Sequence, residues 1–145
     1  MATVQDLLAK KDTNLLSIGP AASVYDAARL MNERKVGSLL VTEGDRLVGI
    51  FTERDILQRV VAQRRDPVAT AVAEVMTAEV ACCKLHTTVE EARGVMKNRR
   101  IRHLPVVNDE GQILGLVSIG DLNAHENHSQ ELTIHFLQQY IYGQV

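Results

Sequence analysis

The sequence has little of what marks nucleic-acid-binding proteins. It contains no tryptophan and only two phenylalanines, and 16 Lys and Arg against 18 Asp and Glu give a formal net charge of −2. Such a charge provides no long-range attraction to nucleic acid or to an anionic membrane surface. One basic cluster, KNRRIRH at residues 97–103, lacks the interleaved aromatic side chains on which bases stack. We therefore predict no nucleic-acid partner.

Long apolar runs are also missing. No stretch approaches the roughly 18 apolar residues that a membrane-spanning helix needs, and the first residues, MATVQDLLAKKDTN, have no apolar core of signal-peptide length. The two cysteines, Cys82 and Cys83, are adjacent and so poorly placed for an ordinary disulfide. In the apolar run EVACCKL we expect them to be small buried residues, not redox centres or metal ligands. These patterns predict a soluble, cytoplasmic protein with no membrane partner and no metal site.

The main feature that is present is an internal repeat. Residues 23–43 align with residues 88–108 at a constant offset of 65, and residues 47–56 align with residues 113–122 at an offset of 66. Few positions are identical, but the order of the predicted elements is the same in both copies. A chain of this length buries about 70% of its unfolded surface, so two small units can pack as one body without a disulfide.

Each copy predicts the same five elements. An extended segment, NLLSI or EVACCKL, precedes a capping-box pattern at Ser23 or Thr88. Apolar residues then recur every three or four positions, as in a helix with one buried face. Two apolar strands joined by a turn rich in Gly and Asp predict a hairpin, and a second helix follows each hairpin. The predicted fold class is α/β, more narrowly α+β, with two β-α-β-β-α repeats packed face to face.

The predicted boundaries place repeat 1 at residues 8–66 and repeat 2 at residues 67–128. Arg64–Thr70 is the expected linker, because Pro67 stops a helix. Residues 129–145 predict a C-terminal helix with two apolar stripes, which is more than one packing face requires. This helix could return to the core or contact a second chain.

The end of each repeat carries the same short pattern, GIFTERDIL in one copy and GLVSIGDL in the other. Thr52 and Ser118 stand where a strand is predicted to end and a helix to begin, a position where unpaired backbone N–H groups favour an anion such as phosphate. The aspartate three residues later, Asp55 or Asp121, presents two acceptor oxygens that suit a ribose diol. The preceding glycine allows close approach of a ligand or a neighbouring strand. The same pattern is also a helix-capping box, and capping and binding can coexist.

These residues together resemble a tandem pair of CBS domains, the unit often called a Bateman module. The resemblance rests on the two strand-end segments, the RHLPVV strand, the VAEVMT segment before the second repeat and the matched Ala and Met positions of the helices. It covers residues 15–124. It implies a disc with pseudo-twofold symmetry and two clefts that commonly bind AMP, ADP, ATP, NAD(H) or S-adenosylmethionine. It also implies that two discs pair as a homodimer.

The resemblance implies a set of ligand-binding positions in the two clefts. The predicted ligand-binding residues are Thr52, Arg54, Asp55, Ser118, Gly120, Asp121, Arg102, His103, Val36, Gly37, Lys11, Leu16, Thr77 and Ala81. Arg54 is expected to form a fork of hydrogen bonds to phosphate, or else to be a solvated arginine at a helix start. Arg102 and His103 are expected near phosphate or ribose, whereas Val36 and Gly37 in the first copy are uncharged, so the two clefts should differ in ligand preference. Four of the positions lead into the first strand of a copy, and in the family such positions line the adenine or ribose. These are Lys11, Leu16, Thr77 and Ala81, which are equally consistent with ordinary residues before a strand.

Two functions remain open at this point. The first is a non-catalytic energy-sensing and signal-transduction module that binds an adenine nucleotide and acts on an unknown effector protein. The second is a dimeric interaction scaffold with vestigial clefts. Nothing in the sequence pairs a nucleophile with a base or forms a phosphate-binding P-loop, so an enzyme is not predicted. His125 and His128 are three residues apart, not the four that a zinc-protease helix needs, and are expected on a solvated face.

Overall fold

A computed structural model describes residues 1–11 and 15–126. The predicted C-terminal helix at residues 129–145 lies outside the described residues. Helices and strands alternate as the repeat predicts. The elements are α1 (Val4–Ala9), β1 (Ser17–Ile18), α2 (Val24–Arg34), β2 (Ser38–Glu43), β3 (Arg46–Thr52), α3 (Glu53–Asp55), a π-helical segment (Ile56–Val61), α4 (Val72–Val75), α5 (Val89–Arg99), β4 (His103–Val107), β5 (Ile113–Ser118) and α6 (Ile119–Glu126).

The strand registers of the two copies match at every pair that both copies contain. Strand β1 pairs parallel with β2 and places Ile18 opposite Val41, while Cys83 forms a single parallel bridge with Val106. Both hairpins, β2–β3 and β4–β5, are antiparallel and shift register at the same point, after Val41 and after Val106. The shift is a β-bulge, which inserts a residue on one strand and so bends the hairpin. The fold is a small α+β fold built twice, as predicted.

The first strand of the second copy is shorter than predicted. The segment EVACCKL contributes only the Cys83 bridge, and the first copy has just two paired residues at this place. Cys83 is buried in the core, and burial raises the pKa of its thiol to about 11. Cys82 is exposed, because alternate residues of an extended segment face opposite sides, so the prediction that both cysteines are buried is wrong for Cys82.

The long helices α2 and α5 form for the reasons read from the sequence. Ser23 Oγ accepts a hydrogen bond from the backbone N–H of Asp26 at 3.0 Å, and Thr88 Oγ1 accepts one from Glu91 at 3.1 Å. These bonds satisfy N–H groups that a helix start leaves unpaired. Each helix buries a matching apolar trio against its sheet. The trios are Val24, Ala27 and Met31 in α2, and Val89, Ala92 and Met96 in α5.

Both helices end at a residue in the left-handed conformation, Lys35 with φ 56° and Arg100 with φ 56°. This turn directs the chain into Val36 and Gly37, which lie before β2, although the apolar run VGSLLV predicts a strand that includes them. The second predicted helix of repeat 1 begins after Thr52 and continues beyond Asp55 as a π-helix.

Two short helices that the sequence analysis did not predict join the repeats. Val4 and Leu7 of α1 are buried in the core cluster formed by the second copy, whereas Val72 and Val75 of α4 are buried in the cluster formed by the first. Each of these helices therefore packs on the repeat that it does not directly precede. The tips of the hairpins also meet, since the backbone N–H of Ile113 donates to the Asp45 carbonyl oxygen at 2.9 Å. The two repeats are tied together at both places.

Within residues 1–11 and 15–126, no helix is both long enough and apolar enough to cross a membrane.

Candidate functional site

A cavity of about 390 Å³ lies between the two repeats, a volume within the range of small-molecule sites. We call it the Lys11 cavity. Five of the predicted site residues meet on its wall: Lys11, Leu16, Val36, Gly37 and His103. The other lining residues are Leu8, Leu15, Lys35, Ser38, Leu40, Gly115 and Leu116. Contributions from both copies mean that the cavity exists only when the repeats are packed together.

The wall of the cavity combines apolar side chains with positive charge. Leucine and valine side chains supply the apolar part, and Lys11 and Lys35 supply two ammonium groups, with the His103 imidazole beside them. Among residues 1–11 and 15–126, no aspartate or glutamate lines the cavity. An anionic group attached to a flat apolar body fits this distribution, because the apolar surface removes the body from water and the cations pair with the charge.

Asp121 lies directly behind this wall and is held by Lys11. The Lys11 Nζ donates to Asp121 Oδ2 at 2.7 Å and to the Leu116 carbonyl oxygen at 2.7 Å. The same Asp121 oxygen accepts the backbone N–H of Ser118 at 2.8 Å, and Ser118 Oγ accepts the N–H of Asp121 at 3.1 Å. Asp121 is therefore both a helix cap, as the alternative interpretation predicts, and the partner of a cavity residue.

These contacts shift two pKa values in the same direction for different reasons. Desolvation by burial would raise the pKa of Asp121, but the hydrogen bonds from Lys11 and Ser118 and the Lys11 charge outweigh it, so the pKa lies below 3.8. Partial desolvation and the charge of Lys11 lower the pKa of His103 below 6.5, against the opposing effect of Asp121 and with a smaller contribution from Arg102. Asp121 is therefore ionised at neutral pH and His103 is neutral.

The first copy has the same capping box but a different environment. The Thr52 N–H donates to Asp55 Oδ2 at 3.0 Å, and Thr52 Oγ1 accepts the Asp55 N–H at 3.2 Å. The other carboxylate oxygen of Asp55 lies 3.7 Å from Arg59 Nε. Only 9% of the Asp55 side chain is exposed, against 27% for Asp121. Of the two motif aspartates, Asp121 is the one that a ligand can reach more readily.

Five predicted site residues neither line the Lys11 cavity nor take part in the two capping boxes just described. Thr77 pairs with Ile50 through two backbone hydrogen bonds of 2.9 Å, and Ala81 packs partly buried against the core of the second copy. Arg54 and Arg102 are exposed, and the Arg102 carbonyl oxygen accepts the N–H of Ile119 at 2.8 Å. Gly120 is also exposed.

The motif glycines Gly49 and Gly115 make room for side chains of the short helices. A Cβ at Gly115 would lie 2.8 Å from Leu8 Cδ2, and one at Gly49 would lie 2.6 Å from Met76 Sδ and 3.0 Å from the Thr77 carbonyl oxygen. Both glycines therefore allow the close approach that the sequence predicts, and the group that approaches belongs to the protein itself.

Sequence reasoning missed Leu8 and Lys35 as cavity residues. Leu8 gave no usable signal, because its helix has six residues, too few for apolar spacing to indicate a helix. Lys35 aligns with Arg100 at the offset of 65. A basic residue at the same position of both copies could have indicated a site for an anion.

The family model described as "CBS domain" matches residues 4–62 and 72–126. A relative, the mitochondrial CBS domain-containing protein CBSX3 of Arabidopsis thaliana, is 36% identical over 150 residues, which cover 97% of this chain and 72% of the relative. The CBS domain protein PAE2072 of Pyrobaculum aerophilum, solved in complex with AMP, aligns with a TM-score of 0.72 and 30% identity over 82% of this chain and 88% of that one. A hexameric CBS-CP12 protein of bloom-forming cyanobacteria aligns with a TM-score of 0.69 and 31% identity over 83% of this chain and 65% of that one.

CBS domains are regulatory modules, and none of these comparisons indicates a catalytic family. The duplicated register, the paired capping boxes and the family match over both copies lead to one conclusion: the chain belongs to the CBS-domain family, with two CBS domains in tandem.

Proposed function

We propose that this chain is a non-catalytic sensor that binds an adenosine nucleotide, AMP foremost, in the Lys11 cavity. The observation that carries the proposal is the basic wall that the described residues give the cavity, beside the partly exposed carboxylate of Asp121. In this arrangement the adenine packs on leucine and valine side chains, the ribose diol donates to Asp121, and the phosphate pairs with Lys11 and Lys35. The AMP complex of the Pyrobaculum aerophilum relative supports AMP over ADP, ATP, NAD(H) and S-adenosylmethionine as the first ligand to test.

The proposal also covers assembly and location. We propose that the chain forms a homodimer and acts on an unidentified effector protein, although one related protein is described as hexameric. A cytoplasmic location is proposed from the sequence, although the Arabidopsis thaliana relative is described as mitochondrial. Signalling requires that the nucleotide bind one conformation better than another. The competing function is a dimeric scaffold, favoured by the exposed apolar side chains Leu57 and Val61, each 62% exposed.

The direct test is calorimetric titration with AMP of the wild type and of a Val36→Glu variant. Val36 lines the cavity and is 40% exposed, so a carboxylate there opposes the phosphate without disturbing the core. We expect the wild type to bind AMP with a Kd well below about 1 mM, and Val36→Glu to weaken binding by about tenfold, which corresponds to about 1.4 kcal/mol.

Val68→Glu is the matched control, because Val68 is 65% exposed and does not line the cavity. It should bind AMP as the wild type does. The wild type is also titrated with ADP, ATP, NAD(H) and S-adenosylmethionine. If it binds none of these and no AMP with a Kd below about 1 mM, the sensor proposal fails and the scaffold is favoured.

A second prediction concerns pH and His103. The free protein holds the pKa of His103 below 6.5, and a phosphate nearby would raise that pKa, so binding takes up a proton as the pH falls. We expect the AMP affinity of the wild type relative to His103→Gln to rise by about threefold to tenfold between pH 7.5 and pH 5.5, a range chosen around the ordinary histidine pKa of about 6.5.

The phosphate itself titrates with a second pKa of about 6, and taking the ratio of the AMP affinities of the two proteins cancels this effect. The other charged groups facing His103 are Lys11, Asp121 and Arg102, and they are the same in both proteins. A ratio that stays constant with pH would place the phosphate away from His103.

A further inference from the structure

Lys11 is a charged residue of the cavity wall that already forms an ion pair. Its Nζ makes two hydrogen bonds of 2.7 Å, to Asp121 Oδ2 and to the carbonyl oxygen of Leu116, while 33% of its side chain remains exposed. Among the described residues, no other ion pair involves a residue that lines this cavity. Lys11 therefore stands between the cavity and the carboxylate proposed for the ribose.

The carboxylate oxygen that Lys11 contacts is already occupied twice. Asp121 Oδ2 accepts both the Lys11 ammonium and the Ser118 N–H, the latter at 2.8 Å. A ribose diol that donates to both carboxylate oxygens must share or replace the Lys11 bond, since the Ser118 bond belongs to the helix cap. Displacing the ammonium leaves a partly buried cation without its anionic partner.

The position of Lys11 follows from how its helix packs. Leu7 of α1 is buried in the core of the second copy, and Leu8 fills the space above Gly115. The chain just after α1 is thereby fixed against β5 and α6, the elements that carry Leu116 and Asp121. Lys11 is held at its place by packing, and only its long side chain has to move.

We infer that Lys11 makes this cavity select phosphorylated over unphosphorylated adenosine ligands, by competing for Asp121 until a phosphate takes over its charge. The inference rests on the proposed function. A nucleoside must break the Lys11–Asp121 pair with nothing to replace it, whereas a nucleotide supplies the replacing anion. Lys11 thus opposes adenosine and assists AMP.

The experiment compares AMP and adenosine by calorimetry in the wild type, Lys11→Met and Lys10→Met. Methionine keeps the length of the side chain and removes the charge. We expect Lys11→Met to bind AMP more weakly and adenosine more tightly, so that the AMP preference falls by about tenfold, in keeping with a partly exposed ion pair and a charged hydrogen bond. Lys10 is exposed and does not line the cavity, so Lys10→Met should keep the wild-type preference.

The outcomes separate this inference from the proposed function. If the wild type binds neither compound, the nucleotide site itself is wrong. If AMP binds and Lys11→Met keeps the same ratio of affinities, or weakens both ligands equally, the selector role is overturned. Lys11→Gln, checked by circular dichroism alongside Lys11→Met, must shift the ratio in the same direction, which keeps the test decisive if methionine perturbs folding.

Discussion

Asp121→Asn is expected to bind AMP about fiftyfold more weakly than the wild type, an effect in the range of lost hydrogen bonds to a charged group. Asparagine keeps the shape of the side chain but offers one acceptor oxygen in place of two, and that oxygen is needed by the Ser118 N–H at 2.8 Å. The amide nitrogen would face the ribose hydroxyls or the Lys11 ammonium as a donor. Calorimetric titration of AMP at neutral pH measures the loss.

Asp55→Asn is the matched control, because Asp55 occupies the same position of the same capping box. Its side chain is 9% exposed and does not line the Lys11 cavity. We expect the AMP affinity of that cavity to stay within about twofold, and the cap to weaken in both variants, because an amide oxygen accepts a backbone N–H less strongly than a carboxylate oxygen does. Equal binding losses in the two variants would show that capping, and not ribose contact, accounts for both. Loss of a second, separate site in Asp55→Asn would support the sequence-based assignment of Asp55.

Phe51→Ala is expected to lower the free energy of unfolding by about 3–5 kcal/mol, a large part of the total stability of a small domain. Phe51 is fully buried, and it packs in one cluster with Val72 and Val75 of α4. Because α4 follows the linker yet lies in the core of the first copy, the cavity left by the substitution weakens both repeats together. Urea unfolding followed by circular dichroism should show one transition at lower urea.

Val61→Ala is the control for this prediction, since Val61 is 62% exposed and should change stability by less than about 0.5 kcal/mol. Two separate transitions in Phe51→Ala, with the second unchanged from the wild type, would contradict the claim that α1 and α4 couple the repeats.

Local patterns predicted most of the elements. The capping boxes at Ser23 and Thr88 and the apolar spacing after them are confirmed as the long helices, because a helix start and one buried face depend on residues only three or four positions apart. The common offset is confirmed in the strand register down to the bulge. The capping role of Asp55 and Asp121 was one of two sequence-based interpretations, and both aspartates adopt it.

Other features could not be read from neighbouring residues. The first strand of the second copy is a single bridge at Cys83, although its sequence is as apolar as a full strand. The segments α1 and α4 have six and four residues, too few for periodicity to indicate a helix, and they are helical because a cleft in the opposite repeat receives their apolar side chains.

The sequence by itself determined that this protein consists of two copies of one α+β unit. Apolar periodicity, helix-capping residues and the repeat offset can all be read directly from the order of the residues. Only the tertiary structure decided that the two copies of the motif differ in use. It brings Lys11 to Asp121 across 110 positions of chain and leaves Asp55 nearly buried. The physical reason is that exposure and ion pairing depend on which distant side chains pack beside a residue. Two capping boxes with the same local pattern do not specify those neighbours.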